Sequence, residues 1–329
     1  MFMRLRKLQV VGTAPGNAVM PAGDIAAPRP AQTLTGSARG PRFGGLILSA
    51  ALVLAAASSH CGAEAPAAPQ TALRPAPLLA SRCQVTASSV DCTKRELSLT
   101  ALLVRRQVTY ELPLGTPPKD GWPVVFFFQG SFFPAALAFS AEKGNPFGQY
   151  SLALTVKALL DAGYAVLAPN ALVGGTTFWQ TNIPPWSLLW NTSSDHAFLM
   201  AIWKAMRDGK FGPVDSDRMY AMGISSGGFM TSRMAVSYPG TFRALAVHSG
   251  SYATCGPVCI VPSLPADHPP TLFLHGLLDL IVPLPTMETY RDALAGDGHE
   301  VKTVVNSAAG HEWISEAVQA VPDWFAAHP

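Results

Sequence analysis

Three residues whose types can together cleave an ester bond each follow a separate apolar run of the chain. Ser225 lies in GISSG, a G-x-S-x-G pattern that predicts a nucleophilic serine on a sharp turn between strand and helix. Asp279 and His311 come after two later apolar runs. A serine hydroxyl attacks a carbonyl carbon when a histidine removes its proton and an aspartate orients that histidine. The sequence therefore predicts a catalytic triad of Ser225, His311 and Asp279.

Other polar residues near these positions have structural interpretations. Ser226 is the rival nucleophile, but it has no glycine two residues before it, so the pattern selects Ser225. His248 and His275 end apolar runs and are interpreted as core or loop-shaping residues. Asp195 and His196 stand at the start of a helical pattern and are interpreted as residues that cap the helix.

Ester cleavage also needs N–H donors for the negative oxygen that develops on the substrate. We expect the first donor to be the backbone N–H of Ser226, directly after the nucleophile. The second is expected in the loop after an early buried strand, where Gln129-Gly130-Ser131 occurs. The Ser131 N–H is preferred there, with the Gly130 N–H as the alternative.

Alternating strands and helices must bring these residues together. The predicted strands are 108–114, 123–129, 164–168, 218–222, 244–248, 271–275 and 300–305. The predicted helices are 152–162, 193–208, 226–237, 285–294 and 312–325, so that His311 immediately precedes the last helix. Such repeats predict an α/β fold with a mainly parallel central sheet and helices on both faces. Because ligands bind beyond the carboxyl ends of such strands, and the order Ser, Asp, His is that of α/β-hydrolases, we predict the α/β-hydrolase fold.

The composition is that of a chain with a large apolar core. Of its 329 residues 49% are hydrophobic and 13% charged, which excludes intrinsic disorder. Residues 1–65 hold six basic and two acidic residues, which leaves 23 − 6 = 17 basic and 21 − 2 = 19 acidic residues elsewhere. A nearly neutral body without basic clusters argues against nucleic acid as a partner.

A short apolar segment near the N-terminus is typical of a secretory signal peptide. Residues 46–57 read LILSAALVLAAA, follow Arg39 and Arg42, and are too few for a membrane span. Because 45 residues precede this segment, either its basic region is long or the true start lies downstream, for example at Met20. Cys61 raises the alternative of a lipid anchor, which the preceding Ser-Ser-His disfavours.

The chain is accordingly divided into three parts. We predict an export segment at 1–65, an Ala/Pro-rich linker at 66–82 and a catalytic domain at 83–329, with no membrane anchor in the mature form. The predicted location is extracellular, and the periplasm is the alternative.

Four cysteines lie beyond the predicted export segment, at Cys83, Cys92, Cys255 and Cys259. An even number in an exported chain indicates disulfides, for which three pairings are possible. The local pairing, Cys83 with Cys92 and Cys255 with Cys259, is favoured. A zinc site is disfavoured because no pair of histidines accompanies these short spacings.

Two aromatic-rich segments leave the predicted active edge of the sheet, at 131–139 and in a lid-like insertion near 172–193. Their candidate substrate-binding residues are Phe132, Phe133, Phe178, Trp179, Trp186 and Trp190. Aromatic side chains on such loops are suited to an acyl pocket or a polymer-adsorbing patch. Core packing of a lid is the alternative, since Trp and Phe are mostly buried.

Three stretches of the sequence resemble the extracellular polyhydroxyalkanoate depolymerases, above all the group that acts on medium-chain-length polymers such as poly(3-hydroxyoctanoate). They are MYAMGISSGGFMTSRMA, FFFQGSFFP, and HGLLDLIVP together with GHEW. The spacings 279 − 225 = 54 and 311 − 279 = 32 suit that family. The resemblance implies a secreted enzyme that hydrolyses internal ester bonds of a water-insoluble polyester. It also implies no metal or other cofactor, and a catalytic domain that binds the polymer itself.

Three other functions stay open. The nearest is a secreted carboxylesterase of the same fold for soluble esters, or for feruloyl or acetyl esters on polysaccharide. A peptidase of the same fold is disfavoured because no propeller or other gating domain is visible in the sequence. A non-catalytic binding protein on a hydrolase scaffold is disfavoured by the complete Ser, Asp and His set.

Overall fold

A mainly parallel sheet lies between layers of helices in the computed structural model of the chain. The structure describes residues 81–256 and 259–329. The predicted export segment 1–65, with Cys61, and residues 66–80 of the predicted linker lie outside the described residues. Among the helices that are described, none is long and apolar enough to cross a membrane.

From the first α-helix onward, the strands and α-helices of the described residues alternate, except that two strands follow one another between the third and fourth helices. The strands are β1 (Cys83–Val85), β2 (Ser89–Cys92), β3 (Arg95–Ala101), β4 (Val104–Glu111), β5 (Trp122–Phe128), β6 (Ser140–Glu142), β7 (Ala165–Pro169), β8 (Val214–Ile224), β9 (Phe242–His248), β10 (Thr271–Gly276) and β11 (Val301–Asn306). The helices are α1 (Gln149–Asp161), α2 (Ser194–Arg207), α3 (Ser226–Ser237), α4 (Leu284–Gly296) and α5 (Ala317–Ala327).

The main sheet has eight strands in the order β11-β10-β9-β8-β5-β7-β4-β3. The strands from β11 to β7 in this order run parallel to their neighbours. Antiparallel pairing joins β4 to β7 and β3 to β4. The predicted α/β-hydrolase architecture with a mainly parallel sheet is therefore confirmed, and the predicted strand 108–114 is present as the antiparallel β4.

The core lies on both faces of the sheet, as the apolar run 123–129 predicts. Val125 and Phe127 of β5 pack in the cluster that contains α1 and α5. Phe126 and Phe128 point to the opposite face, into the cluster that contains α2 and α3. A strand whose successive side chains are all buried must be apolar throughout, which is why β5 shows no alternation.

The last helix begins later than predicted. Helix α5 starts at Ala317, so the predicted helix 312–325 is too long at its N-terminus and His311 lies in the preceding loop. Two backbone N–H groups in this loop have partners elsewhere, because Trp313 N–H donates to the Phe147 carbonyl and Ile314 N–H to His248 Nε2. These bonds tie the loop to two distant segments of the chain, so its path is set by long-range contacts.

Two disulfides join cysteines that are close in sequence. Cys83 is bonded to Cys92, its direct partner across the β1–β2 pair, and Cys255 is bonded to Cys259. This is the local pairing favoured from the sequence. The first bond closes the loop that contains β1 and β2, two strands of the small β1-β2-β6 sheet.

Candidate active site

The turn between β8 and α3 holds Ser225 in a conformation that only tight packing maintains. Its backbone has φ 58° and ψ −125°, outside the regions that side-chain-bearing residues prefer. A Cβ atom on Gly227 would lie 1.9 Å from the Phe128 carbonyl oxygen, and one on Gly223 would lie 2.3 Å from the Gly227 oxygen. The two glycines of the pattern are thus required by contact between the turn and β5, and they let Ser225 project from the sheet edge.

Asp279 and His311 meet in the loops that follow β10 and β11. His311 Nδ1 lies 2.8 Å from Asp279 Oδ2, although the two residues are 32 positions apart. The other carboxylate oxygen, Oδ1, accepts hydrogen bonds from the Ile281 and Val282 N–H groups at 2.9 and 2.8 Å. The carboxylate is therefore fixed on both oxygens, and one of them orients the imidazole.

The environment of Asp279 favours its ionised form. Burial by itself raises the pKa of this carboxyl, but the hydrogen bonds from His311, Val282 and Ile281 outweigh burial and leave the pKa below its ordinary value. A buried carboxylate that stays charged beside an imidazole can stabilise the protonated form of that ring.

Ser225 and His311 border one cavity of about 260 Å³ at the carboxyl edge of the sheet. Its apolar lining includes Phe127, Phe133, Leu137, Phe147, Leu152 and Trp313. Within the described chain no hydrogen bond joins the Ser225 hydroxyl to His311, a contact that in unliganded enzymes often tightens only when substrate binds. The arrangement offers a hydroxyl and an imidazole at the wall of an apolar chamber.

The two candidate oxyanion donors lie beside this cavity. Gly130 and Ser131 line it together with Ser225, and Ser226 is the first residue of α3. In the part of the chain that the structure describes, neither the Ser131 nor the Ser226 N–H donates a hydrogen bond to another protein group. Both amides are therefore available to an oxygen bound next to Ser225.

Trp179 occupies a different position from the one expected of a substrate-binding residue. The side chain is fully buried, and its ring packs edge-on against Phe128 at a centroid distance of 5.3 Å. Its Nε1–H donates to the Gln129 carbonyl at 3.1 Å, and its backbone N–H donates to Ser226 Oγ at 2.9 Å. Trp179 thus contacts both segments that carry the candidate oxyanion donors, which makes it a positioning residue.

The remaining predicted aromatics divide into two groups. Phe132 and Phe133 line the cavity, and Phe132 is 68% exposed. Phe178 is exposed and Trp186 half-buried, but neither belongs to the cavity lining. Trp190 is buried and donates from Nε1 to the Tyr238 hydroxyl at 2.9 Å, so lid packing, the alternative weighed from the sequence, describes it better.

Phe147 was not identified from the sequence. It lines the cavity, with its ring centroid 6.4 Å from that of His311 and 5.0 Å from that of Phe133. Its backbone has φ 57°, and its carbonyl accepts the Trp313 N–H at 3.0 Å. A positive φ at a phenylalanine has no sequence signature, and the fold alone brings this residue beside His311.

His248 is a core residue, as interpreted from the sequence, and it connects two parts of the site. Its carbonyl accepts the Ser225 N–H at 3.1 Å, and its Nε2 accepts the Ile314 N–H at 2.9 Å. Complete burial holds the pKa of His248 well below its usual value, so the ring is neutral and its Nε2 can accept a hydrogen bond.

Within residues 81–256 and 259–329, no three His, Cys, Asp or Glu side chains form a group that could hold a metal ion.

Trp179→Phe is expected to lower the free energy of unfolding by about 1–3 kcal/mol, because the buried Gln129 carbonyl loses its donor. We also expect kcat for a soluble ester to fall roughly 10-fold, less than the ~100- to 1,000-fold loss on removing an oxyanion donor. Urea unfolding and steady-state kinetics measure the two effects.

The matched control is Trp190→Phe, which removes a buried indole N–H that bonds Tyr238 away from the cavity. It is expected to lower stability to a similar extent and to leave kcat within about 2-fold. Equal losses of kcat in both variants would contradict a positioning role for Trp179.

Two of the sequence matches to known proteins differ greatly in extent. The chain is 48% identical over 289 residues to poly(3-hydroxyoctanoate) depolymerase from Pseudomonas fluorescens. The aligned region covers 87% of this chain and 97% of that protein. Feruloyl esterase B from Thermothelomyces thermophilus is 58% identical over 41 residues, 12% of this chain and 14% of that enzyme.

Broader comparisons concern the fold. The prolyl oligopeptidase family (Peptidase_S9) matches residues 150–260. The crystal structure of a thermostable esterase is 18% identical with a TM-score of 0.51, covering 71% of this chain and 62% of that one, and it shows the fold alone. The depolymerase match extends over almost the whole relative at high identity. The chain therefore belongs to the family of the poly(3-hydroxyoctanoate) depolymerases, which are carboxylic ester hydrolases with the α/β-hydrolase fold.

Proposed function

We propose that the protein is a secreted serine hydrolase that cleaves the ester bonds of a water-insoluble, medium-chain-length polyhydroxyalkanoate. The observation that carries the proposal is the apolar cavity, because Ser225 and His311 border the chamber that would receive the acyl side chain. The Pseudomonas fluorescens relative, which is named for its action on poly(3-hydroxyoctanoate), supports the same substrate class.

The first half of the proposed reaction forms an acyl-enzyme. The Ser225 Oγ attacks the ester carbonyl carbon while His311 Nε2 removes the hydroxyl proton. Asp279, bonded to His311 Nδ1, keeps the proton of the neutral ring on Nδ1 and stabilises the imidazolium. His311 then gives the proton to the leaving alcohol, which is the hydroxyl end of the departing polymer segment.

The second half releases the acid. A water molecule takes the place of the leaving alcohol, loses a proton to His311 and attacks the acyl carbon, and the proton returns to Ser225 Oγ. In both halves the carbonyl oxygen carries negative charge next to the N–H groups of Ser226 and Ser131. Donors already aimed at that position stabilise the charge without reorganisation, by ~3–4 kcal/mol for one donor in related chemistry.

The size and chemistry of the cavity favour a substrate side chain of several methylenes. Each buried methylene contributes about 0.8 kcal/mol, so a longer alkyl group gains more from the chamber lined by Phe133, Leu152 and Trp313. A methyl side chain would leave most of the volume of about 260 Å³ unfilled. The disulfides Cys83–Cys92 and Cys255–Cys259 are compatible with export to an oxidising compartment.

A carboxylesterase for soluble esters is the second candidate. The short match to feruloyl esterase B favours it, but that match spans only 41 residues. Both candidates use the same triad, so their difference lies in whether the enzyme acts on a solid polymer.

Emulsified medium-chain-length polyhydroxyalkanoate is expected to clear on incubation with the purified protein, as followed by turbidity. We expect slower clearing of the short-chain polymer, because a methyl group gains less from the cavity. Ser225→Ala is the control that ties clearing to the proposed nucleophile. Hydrolysis of soluble p-nitrophenyl esters without any clearing would reject the polymer substrate and favour the carboxylesterase.

A further inference from the structure

An exposed apolar ridge stands on the loop that carries Asp279. We call Leu277, Leu278, Leu280 and Ile281 the acid-loop ridge. All four side chains are exposed, Leu280 at 92% and Ile281 at 64%, while Asp279 between them is buried. Large apolar side chains clustered at this exposure on one loop mark a surface that contacts something else.

Hydrogen bonds fix the backbone of the acid-loop ridge, so the fold itself determines the exposure of the ridge side chains. Leu277 N–H donates to the Asn306 carbonyl and Leu278 N–H to the Ala309 carbonyl, both at 2.9 Å. Ile281 N–H donates to Asp279 Oδ1 at 2.9 Å. These bonds fix a loop in which the Asp279 side chain is buried and the four ridge side chains are exposed.

The ridge is continuous with the catalytic cavity. Ile281 belongs to the ridge and also lines the cavity that Ser225 and His311 border. Phe132, 68% exposed, lines the same cavity from the loop after β5. An object lying against the ridge would thus lie at the mouth of the cavity.

The acid-loop ridge itself presents no exposed charge. Residues 274–287 contain only the buried Asp279, and the cavity-lining loop 129–141 contains no Asp, Glu, Lys or Arg. The charges nearest in sequence to other lining residues are Glu142 and Lys143, which are of opposite sign, and Glu312. A surface without charge lacks the attraction that an anionic membrane or an acidic polysaccharide would use. It suits a partner that is neutral as well as apolar.

We propose that the acid-loop ridge adsorbs the enzyme to the neutral, apolar surface of a solid polyester. This inference rests on the proposed function and adds to it the surface that holds the enzyme on its substrate. The ridge places the cavity mouth against the solid, where a polymer segment can enter next to Ser225. Adsorption by apolar contact does not weaken as the salt concentration rises.

The test compares adsorption of two matched double variants of the full chain, both in a Ser225→Ala background so that the polymer is not consumed. Leu278→Gln/Leu280→Gln removes two ridge side chains that are not in the cavity lining. Val85→Gln/Met200→Gln removes two exposed apolar side chains on β1 and α2. The readout is depletion of protein from solution by granules of medium-chain-length polyhydroxyalkanoate.

We expect the ridge variant to bind the granules about 10- to 100-fold more weakly than the Ser225→Ala parent, since two leucine contacts are lost. The control is expected to bind within about 2-fold of the parent, because its changes lie off the ridge. The same ridge variant with Ser225 restored should hydrolyse a soluble p-nitrophenyl ester at the unaltered rate and clear polymer slowly. Binding of the parent should not weaken between low and high salt.

Three results would overturn the proposal. One is equal adsorption of the ridge variant and the parent. Another is adsorption of the parent to phosphatidylcholine vesicles but not to polymer, which would assign the ridge to a lipid surface. The third is a dimer that the ridge variant abolishes in sedimentation, which would assign it to a second copy of the chain. Failure of the proposed function would be distinguishable from these results, because the unaltered enzyme would then clear no polymer.

Discussion

Replacing Ser225 by alanine is expected to lower kcat for ester hydrolysis by about ten-thousand- to a million-fold, the range for loss of the nucleophile in comparable triads. The effect is large because His311 then has no hydroxyl to activate. The cavity wall is otherwise unaltered, so KM should change little. Steady-state hydrolysis of a p-nitrophenyl ester with an alkyl acyl chain measures the loss.

Ser226→Ala is the matched control for the nucleophile. It keeps the backbone N–H next to Ser225 and removes only a hydroxyl that accepts the Trp179 N–H. We expect some loss of stability, about 1–3 kcal/mol for the unpaired buried donor, and most of the activity. A serine-directed phosphonate should label the native protein and the Ser226→Ala variant but not Ser225→Ala. If the Ser225→Ala variant were labelled and stayed active, another residue would be the nucleophile, and the proposed triad would be contradicted.

The parts of the site that lie next to a strand end could be predicted from the sequence. The apolar run 123–129 became β5, and the G-x-S-x-G turn joins β8 to α3 at the predicted residues. Parallel strands bring their carboxyl ends to one edge, so residues after three different strands can be expected to meet. His311 and Asp279 do so, at 2.8 Å.

The parts that depend on packing between distant segments could not be predicted. Aromatic composition did not separate Trp179, which is buried under the candidate oxyanion loops, from Phe132, which faces the cavity. Burial of a loop residue is decided by which strand its loop folds over. The path of the loop before α5 was missed for a similar reason, since that loop is held by a hydrogen bond from Ile314 to His248 that spans 66 residues.

Asp279→Asn is expected to lower kcat by about ten-thousand-fold, as the same change does in a comparable triad. The amide can keep its oxygen towards the Ile281 and Val282 N–H groups, and its NH2 group then faces His311 Nδ1. Nδ1 must accept that bond, so the ring proton moves to Nε2. A ring protonated at Nε2 cannot remove the proton of Ser225, which explains why a nearly isosteric change abolishes catalysis.

The same substitution should change how stability depends on pH, which separates its electrostatic effect from unfolding. The hydrogen bonds to Asp279 hold its pKa below the ordinary value of about 3.9. Its charge therefore stabilises the folded state above that pH, and this contribution disappears as the pH falls through the lowered pKa. Urea unfolding between neutral and acid pH should show this decline in the native protein and less of it in Asp279→Asn. Glu288→Gln, which removes a partly exposed carboxylate from α4, is the control and should retain both activity and the decline. If Asp279→Asn remained as active as Glu288→Gln, the carboxylate would only shape the loop, and the orientation of His311 would have to come from elsewhere.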